Sequence, residues 1–156
     1  MSFRKLHSSG LTSSSLRPHA SFLNRLEASG LRYETSGMRD HRKLRAFELA
    51  DRLALSVYAK TKSFPKEEQF GLTSQLRRAA VSIASNIVEG CARSSEADYI
   101  RFLDMAFGSV RELEYQLTLA ARLGYMESNG AADLEEQADE TARVLAGLLQ
   151  SLRSRE

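Results

Sequence analysis

Three histidines and one cysteine set a narrow limit on the chemistry this chain can perform. His7, His19 and His41 all lie outside or at the edge of the regularly patterned region, so a Ser-His-Asp or Cys-His relay has no imidazole to use. A di-iron bundle needs Glu-x-x-His pairs facing inward and haem iron needs histidine or methionine ligands in the core; neither set is available. Cys91, near the end of a helical segment, reads as a small half-buried thiol rather than a nucleophile. A single cysteine forms no intramolecular disulfide and no cysteine-paired zinc site, which points to a reducing compartment, the cytoplasm by default. Gly-rich phosphate loops are absent. The expectation is therefore a protein with no enzyme activity, no metal and no cofactor.

What remains is recognition, and two groups of residues suit it. Gln75, Arg78, Ser82, Asn86, Glu89 and Arg93 recur at helical spacing and form a polar stripe beside an apolar one. Ser109, Glu112 and Gln116 form a similar edge on the next segment. Such a stripe is either a solvated face or a subunit interface. Short polar residues among alanines suit close approach of another helix, with Arg78 or Arg93 meeting Glu112 or Glu89 across the contact. The second group, Arg39, Arg42, Lys43, Arg45 and Arg52, opens the first helical segment. It offers a patch for phosphates, or it balances Asp133, Glu135, Glu136, Asp139 and Glu140 on the last segment.

Four helical segments must position these residues. Phe47, Ala50, Ala54, Val57 and Thr61 share one face of the first, which ends at Phe64-Pro65. A connection SFPKEEQFGL leads to Thr73 as N-cap, then to Leu76, Ala80, Ile83, Ile87 and Gly90. Ser95 and Asp98 resemble a capping box before Tyr99, Leu103, Ala106, Val110, Leu113, Leu117 and Ala120, and Gly124 ends that run. Ser128 or Asn129 caps the last segment, with Leu134, Ala138, Thr141, Leu145, Leu148 and Leu152 inward. Spacing of three and four suits left-handed bundle packing, and short connections make sequential helices antiparallel. The fold expected over residues 38–156 is an all-α, up-down-up-down four-helix bundle, with an extended helical hairpin completed in an oligomer as the alternative.

Charge is unevenly placed along the chain. Residues 1–37 hold five Lys/Arg and two Asp/Glu, residues 38–94 hold eleven and six, and residues 95–156 hold six and twelve. The basic balance thus comes largely from the first segment, and a globally basic nucleic-acid binder is not the pattern. Residues 1–37 are rich in serine and lack periodicity, so they read as a disordered extension; the organised pattern begins just after Met38, a natural start of translation. No run of residues is apolar and long enough to span a membrane.

The run FGLTSQLRRAAVSIASNIVEG, followed by ARSSEADYIRFLDMAFGSVRELEYQLTLAARLGY, resembles the four-helix-bundle family of 23S rRNA intervening-sequence proteins, and HRKLRAFELADRLALSVYAKTKSFP is similar to that family's first helix. The resemblance covers about Met38 to Leu152 and is most specific over Leu72 to Gly124. Ala92 departs from it, standing where the family commonly has glycine. It implies a homopentameric ring of bundles without enzyme activity. A related branch, the accessory proteins of diversity-generating retroelements, binds nucleic acid and a reverse transcriptase through a basic surface, which would need many more Lys/Arg than occur here. Two functions stand as expectations: an oligomeric RNA- or DNA-binding accessory factor, or a protein-binding scaffold with no nucleic-acid role.

Overall fold

Apolar side chains three and four residues apart form a stripe that only neighbouring helices can cover along its length. The computed structural model shows four that do so: α1 (Arg45–Lys60), α2 (Leu72–Cys91), α3 (Glu96–Arg122) and α4 (Ser128–Arg153). The structure describes residues 39–155; the extension expected over 1–37 and the start at Met38 lie outside the described residues. α2 packs on α1 and on α3, and α4 packs on α3 and on α1, so α1 and α3 stand diagonally. Contacts fix the sense of each pair. Arg45 opens α1 against Glu140 midway along α4, while Lys60 at its far end lies against Gly130 near the α4 start. Asp104 early in α3 binds Arg153 at the end of α4, and the backbone N–H of Arg39, just ahead of α1, donates to the Cys91 carbonyl that ends α2.

The centre of the bundle is aliphatic: Leu53, Leu76, Ile83, Ile87, Leu103, Leu113, Leu117, Leu134 and Leu145 are fully buried. On α2 and α3 every residue expected in the core is buried. On the first segment Ala50, Val57 and Thr61 are buried as expected, but the buried face of α1 is turned towards Ala46, Leu49 and Leu53. Ala46, Leu49, Ala50, Leu53 and Val57 point inward, while Phe47 and Ala54 sit at the edge, and the Phe47 ring meets His41 edge-on at 4.7 Å between centroids. A phenylalanine can cover an edge from outside the core, and the small Ala46 lets the helix settle closer. On α4 the inward line passes to Leu149 and leaves Leu148 half-buried, because a straight helix with 3.6 residues per turn drifts from a strict 3,4 repeat.

Helix ends show where local and distant groups share the capping. Ser95 behaves as expected, its Oγ accepting from the Asp98 N–H at 3.1 Å. Thr73 is not the cap of α2 but a buried first-turn residue. The helix starts at Leu72, whose N–H donates to Glu68 Oε2 at 2.8 Å, while Glu68 Oε1 accepts from the Tyr125 hydroxyl at 3.2 Å. A carboxylate outside the helix thus replaces the side-chain cap and ties α2 to the α3–α4 connection. α4 starts at Ser128 with Glu127 in the cap position and no side-chain cap bond, in place of the Ser128 or Asn129 cap expected. Gly124 ends α3 at φ +75°, with Tyr125 N–H donating to Ala120 O at 3.0 Å and Gly124 N–H to Ala121 O at 3.0 Å; this Schellman turn needs the left-handed conformation glycine adopts cheaply.

At Gly90 α2 lies tight against the first turns of α3. A Cβ there would stand 2.9 Å from Phe102 Cβ and 3.3 Å from the Tyr99 ring. Replacing an interior helical glycine by alanine ordinarily stabilises by about 0.8–1 kcal/mol. Here the sign should reverse, with Gly90→Ala destabilising by about 1–3 kcal/mol as the helices are wedged apart, read as a lowered midpoint in urea unfolding. A midpoint that rises would show that the pair has slack at this point.

Candidate functional site

The five basic residues at the head of α1 do not form one patch. Arg39 turns back on the bundle, its guanidinium 4.2 Å above the Tyr99 ring centroid and its Nη1 3.5 Å from the Arg93 carbonyl oxygen. Arg42 holds Asp40 through Nε at 2.9 Å and Nη2 at 3.3 Å, and the same carboxylate accepts the Arg42 backbone N–H at 3.1 Å. That hydrogen bond from the Arg42 side chain holds Asp40 below the usual carboxylate range. Arg45 lies 2.8 Å from Glu48 and 3.1 Å from Glu140, and Arg52 lies 2.9 Å from Glu48. The hydrogen bond from Arg45 likewise lowers the Glu48 pKa. Lys43 is exposed and has no ion pair among the described residues. Of the α4 carboxylates expected to balance this cluster, Glu140 is the one that pairs with it. These pairs are exposed and contribute little to stability, but together they weaken the field a phosphate would feel.

The polar stripe of α2 and α3 faces inward more than a subunit contact requires. Ser82 Oγ and Ser109 Oγ lie 2.9 Å apart, joining the two helices within one chain. Asn86 Nδ2 donates to Ser82 O at 2.9 Å and to Ser82 Oγ at 3.1 Å, and Ser109 Oγ donates to Met105 O at 3.0 Å. Gln116 is 7% exposed, donating from Nε2 to Glu112 Oε1 at 2.9 Å, while its own Oε1 has no partner among the described residues. Arg93, just past the end of α2, pairs with Glu89 in the last turn of that helix and covers the Phe102 ring at 4.6 Å. Gln75 and Arg78 remain exposed, and Arg78 has no carboxylate within 4 Å among the described residues.

A third feature was not singled out from the sequence. Five large apolar side chains are exposed on the α1–α2 side: Leu55 at 67%, Tyr58 at 44%, Phe70 at 90%, Val81 at 42% and Val88 at 37%. Val81 and Val88 are seven residues apart, opposite the core stripe of α2, and this was the sequence signal available. Phe70, Tyr58, Val81, Arg77 and Arg78 line an open groove of about 500 Å³. Arg77 is fixed there, its guanidinium 4.9 Å over Tyr58 and its Nε donating to Thr61 Oγ1 at 2.9 Å. On the other side of the bundle, Phe107, Ala146 and Leu149 line a groove of about 540 Å³ between α3 and α4, with the Asp104–Arg153 pair at its rim.

Two buried titratable side chains lie together where α2 meets α3. Cys91 is buried, and that burial pushes its thiol up. Tyr99 beside it is 2% exposed, and burial pushes its phenol up to about 12. No cluster of three or more His, Cys, Asp or Glu able to hold a metal ion occurs among the described residues, and no described helix is long and apolar enough to cross a membrane.

Residues 42–147, which include α1, α2 and α3 entire and most of α4, match the family model described as 23S rRNA-intervening sequence protein. The chain belongs to that family. Among solved structures, a Bacteroides thetaiotaomicron protein of unknown function from the S23 ribosomal protein family is similar over 67% of this chain and 97% of its own, at 24% identity and a TM-score of 0.63. That likeness shows the shared fold. No curated protein matches the chain. Membership in the intervening-sequence family agrees with the resemblance read over Leu72 to Gly124, which lies wholly inside the matched span.

The buried phenol gives a pH signature. Tyr99 binds its proton more tightly folded, at about 12, than at the ordinary 10, so the neutral form stabilises the fold below pH 10 and that contribution fades as the pH rises towards 12. Thermal stability should therefore fall between pH 10 and 12, and Tyr99→Phe should flatten that fall. Tyrosinate absorbance should show a late-titrating phenol that Tyr99→Phe removes. An unchanged slope in Tyr99→Phe would assign the alkaline loss to another group.

Proposed function

We propose that this protein is a non-enzymatic, self-assembling bundle that acts by binding, and that its copies meet through the α1–α2 side. The observation that carries this reading is the exposure there of Leu55, Tyr58, Phe70, Val81 and Val88, five of the eight large apolar side chains exposed among the described residues. Apolar area in water is a standing drive to association, worth about 25 cal/mol per Å² removed from water. The polar stripe supports assembly less than its spacing suggests, since Ser82, Asn86 and Ser109 are engaged within the chain. Five copies is the number the family resemblance implies.

The scaffold reading is favoured over nucleic-acid binding because Arg42, Arg45 and Arg52 already hold carboxylates, so a phosphate would have to displace Asp40, Glu48 or Glu140. Light scattering coupled to size exclusion, with and without mixed RNA at low and high salt, tests both. The expected result is a multi-copy mass that RNA leaves unchanged, reduced to one copy by Val81→Glu with Val88→Glu while helicity persists. Salt-sensitive RNA uptake that Arg42→Glu with Arg45→Glu abolishes would put the accessory-factor reading in its place.

A further inference from the structure

Most arginines of this protein are occupied. Eight of those described hold a carboxylate within 4 Å, and Arg39 lies on the Tyr99 ring. Arg77 and Arg78 differ: consecutive on α2, they line one groove, and neither has a carboxylate within 4 Å among the described residues. No acidic residue lines that groove. An unpaired arginine is ordinary where its side chain is free in water, but Arg77 is held. Its Nε donates to Thr61 Oγ1 at 2.9 Å and its guanidinium stands 4.9 Å over the Tyr58 ring. Thr61 is 2% exposed and its hydroxyl donates to Val57 O at 2.8 Å, so the anchor is itself fixed. A planar guanidinium positioned in this way loses little freedom when it meets a carboxylate.

The same groove is apolar on its other walls. Phe70, in the turn ahead of α2, is at 90% the most exposed large apolar side chain among the described residues, and Tyr58 and Val81 lie in the groove with it. Aromatic residues and arginine carry most of the binding energy at protein interfaces, and here both classes share one recess. Nucleic acid fits it less well. A polyphosphate is held by a run of cations, whereas residues 38–156 have seventeen Lys/Arg against eighteen Asp/Glu, and the aliphatic Val81 gives a base nothing to stack on.

We propose that the Phe70 end of the α1–α2 side is a docking groove for an acidic segment of another protein, which sets an apolar side chain among Phe70, Tyr58 and Val81 and a carboxylate on Arg77 and Arg78. Charge complementarity selects this occupant, because the groove holds two guanidiniums and no acid of its own. The proposal rests on the reading of the protein as a binder and not on its assembly. Val88 lies ten residues past Arg78, about 15 Å along α2, so the two uses of this side are separable. Val81 borders both and is left unchanged in the test.

The probe is a fluorescein-labelled helical peptide with leucines three and four residues apart and glutamates between them, read by fluorescence anisotropy on the full chain. A peptide with lysine in place of glutamate and an oligouridylate of equal length are the comparisons. The glutamate peptide should bind and the other two should not, and Arg78→Glu and Phe70→Ser should each weaken binding by about tenfold or more. Both residues are exposed, so the circular dichroism and the light-scattering mass of each variant should match wild type. A glutamate peptide that fails to bind, that binds both variants as well as wild type, or that the lysine peptide equals would overturn the proposal. So would uptake of the RNA instead, which would make this a phosphate-binding groove, or a copy number that falls as the peptide binds, which would make it a contact between copies. A monomeric wild type that still binds the glutamate peptide would remove the assembly reading and leave this proposal standing.

Discussion

The close approach of α2 to α3 is the constraint from which most of the structure follows. It is possible because α2 presents Ala79, Ala80, Ile83, Ile87 and Gly90 inward and because Gly90 has no side chain where Phe102 and Tyr99 pass. At that distance Ser82 and Ser109 come within hydrogen-bonding reach, and a stripe that would otherwise face water becomes a seam inside one chain. Hydroxyls and amides withdrawn in part from water need partners, and the seam supplies them: Ser82 receives Asn86 and Ser109 bonds back to Met105.

The same approach organises the end of the bundle. With Cys91 and Tyr99 pressed together in the core, the segment ahead of α1 crosses the α2 terminus, where Arg39 lies on Tyr99 and holds the Arg93 carbonyl. A residue that looks like a free cation in sequence is thereby a packing residue, its aliphatic stem and planar head covering an aromatic face. At the opposite end Glu68 plays the matching part, one carboxylate capping α2 and meeting Tyr125 beyond α3. Both ends are tied by single polar side chains that join elements distant in sequence.

Once the interior is closed in this way, what is left outside decides what the protein can do. Ion pairs quiet the head of α1, the α2–α3 seam is internally bonded, and the unsatisfied surface is apolar: a projecting set on the α1–α2 side and a recess on the α3–α4 side.

The helices of this protein, their inward residues and the turn at Gly124 were legible in the sequence, because a side-chain period and a left-handed glycine are local properties of the chain. The Ser95 cap was legible for the same reason: donor and acceptor lie three residues apart. The face of α1, the cap of α2 and the fate of the polar stripe were not. Each depends on a partner far along the chain: the turn of α1 rests on how its neighbours receive it, the cap comes from Glu68 outside the helix, and Ser82 meets Ser109 only after two helices have packed. Period tells which residues of a helix share a side; which neighbour covers that side, how closely, and what is left for water is decided by the packing of all four helices at once.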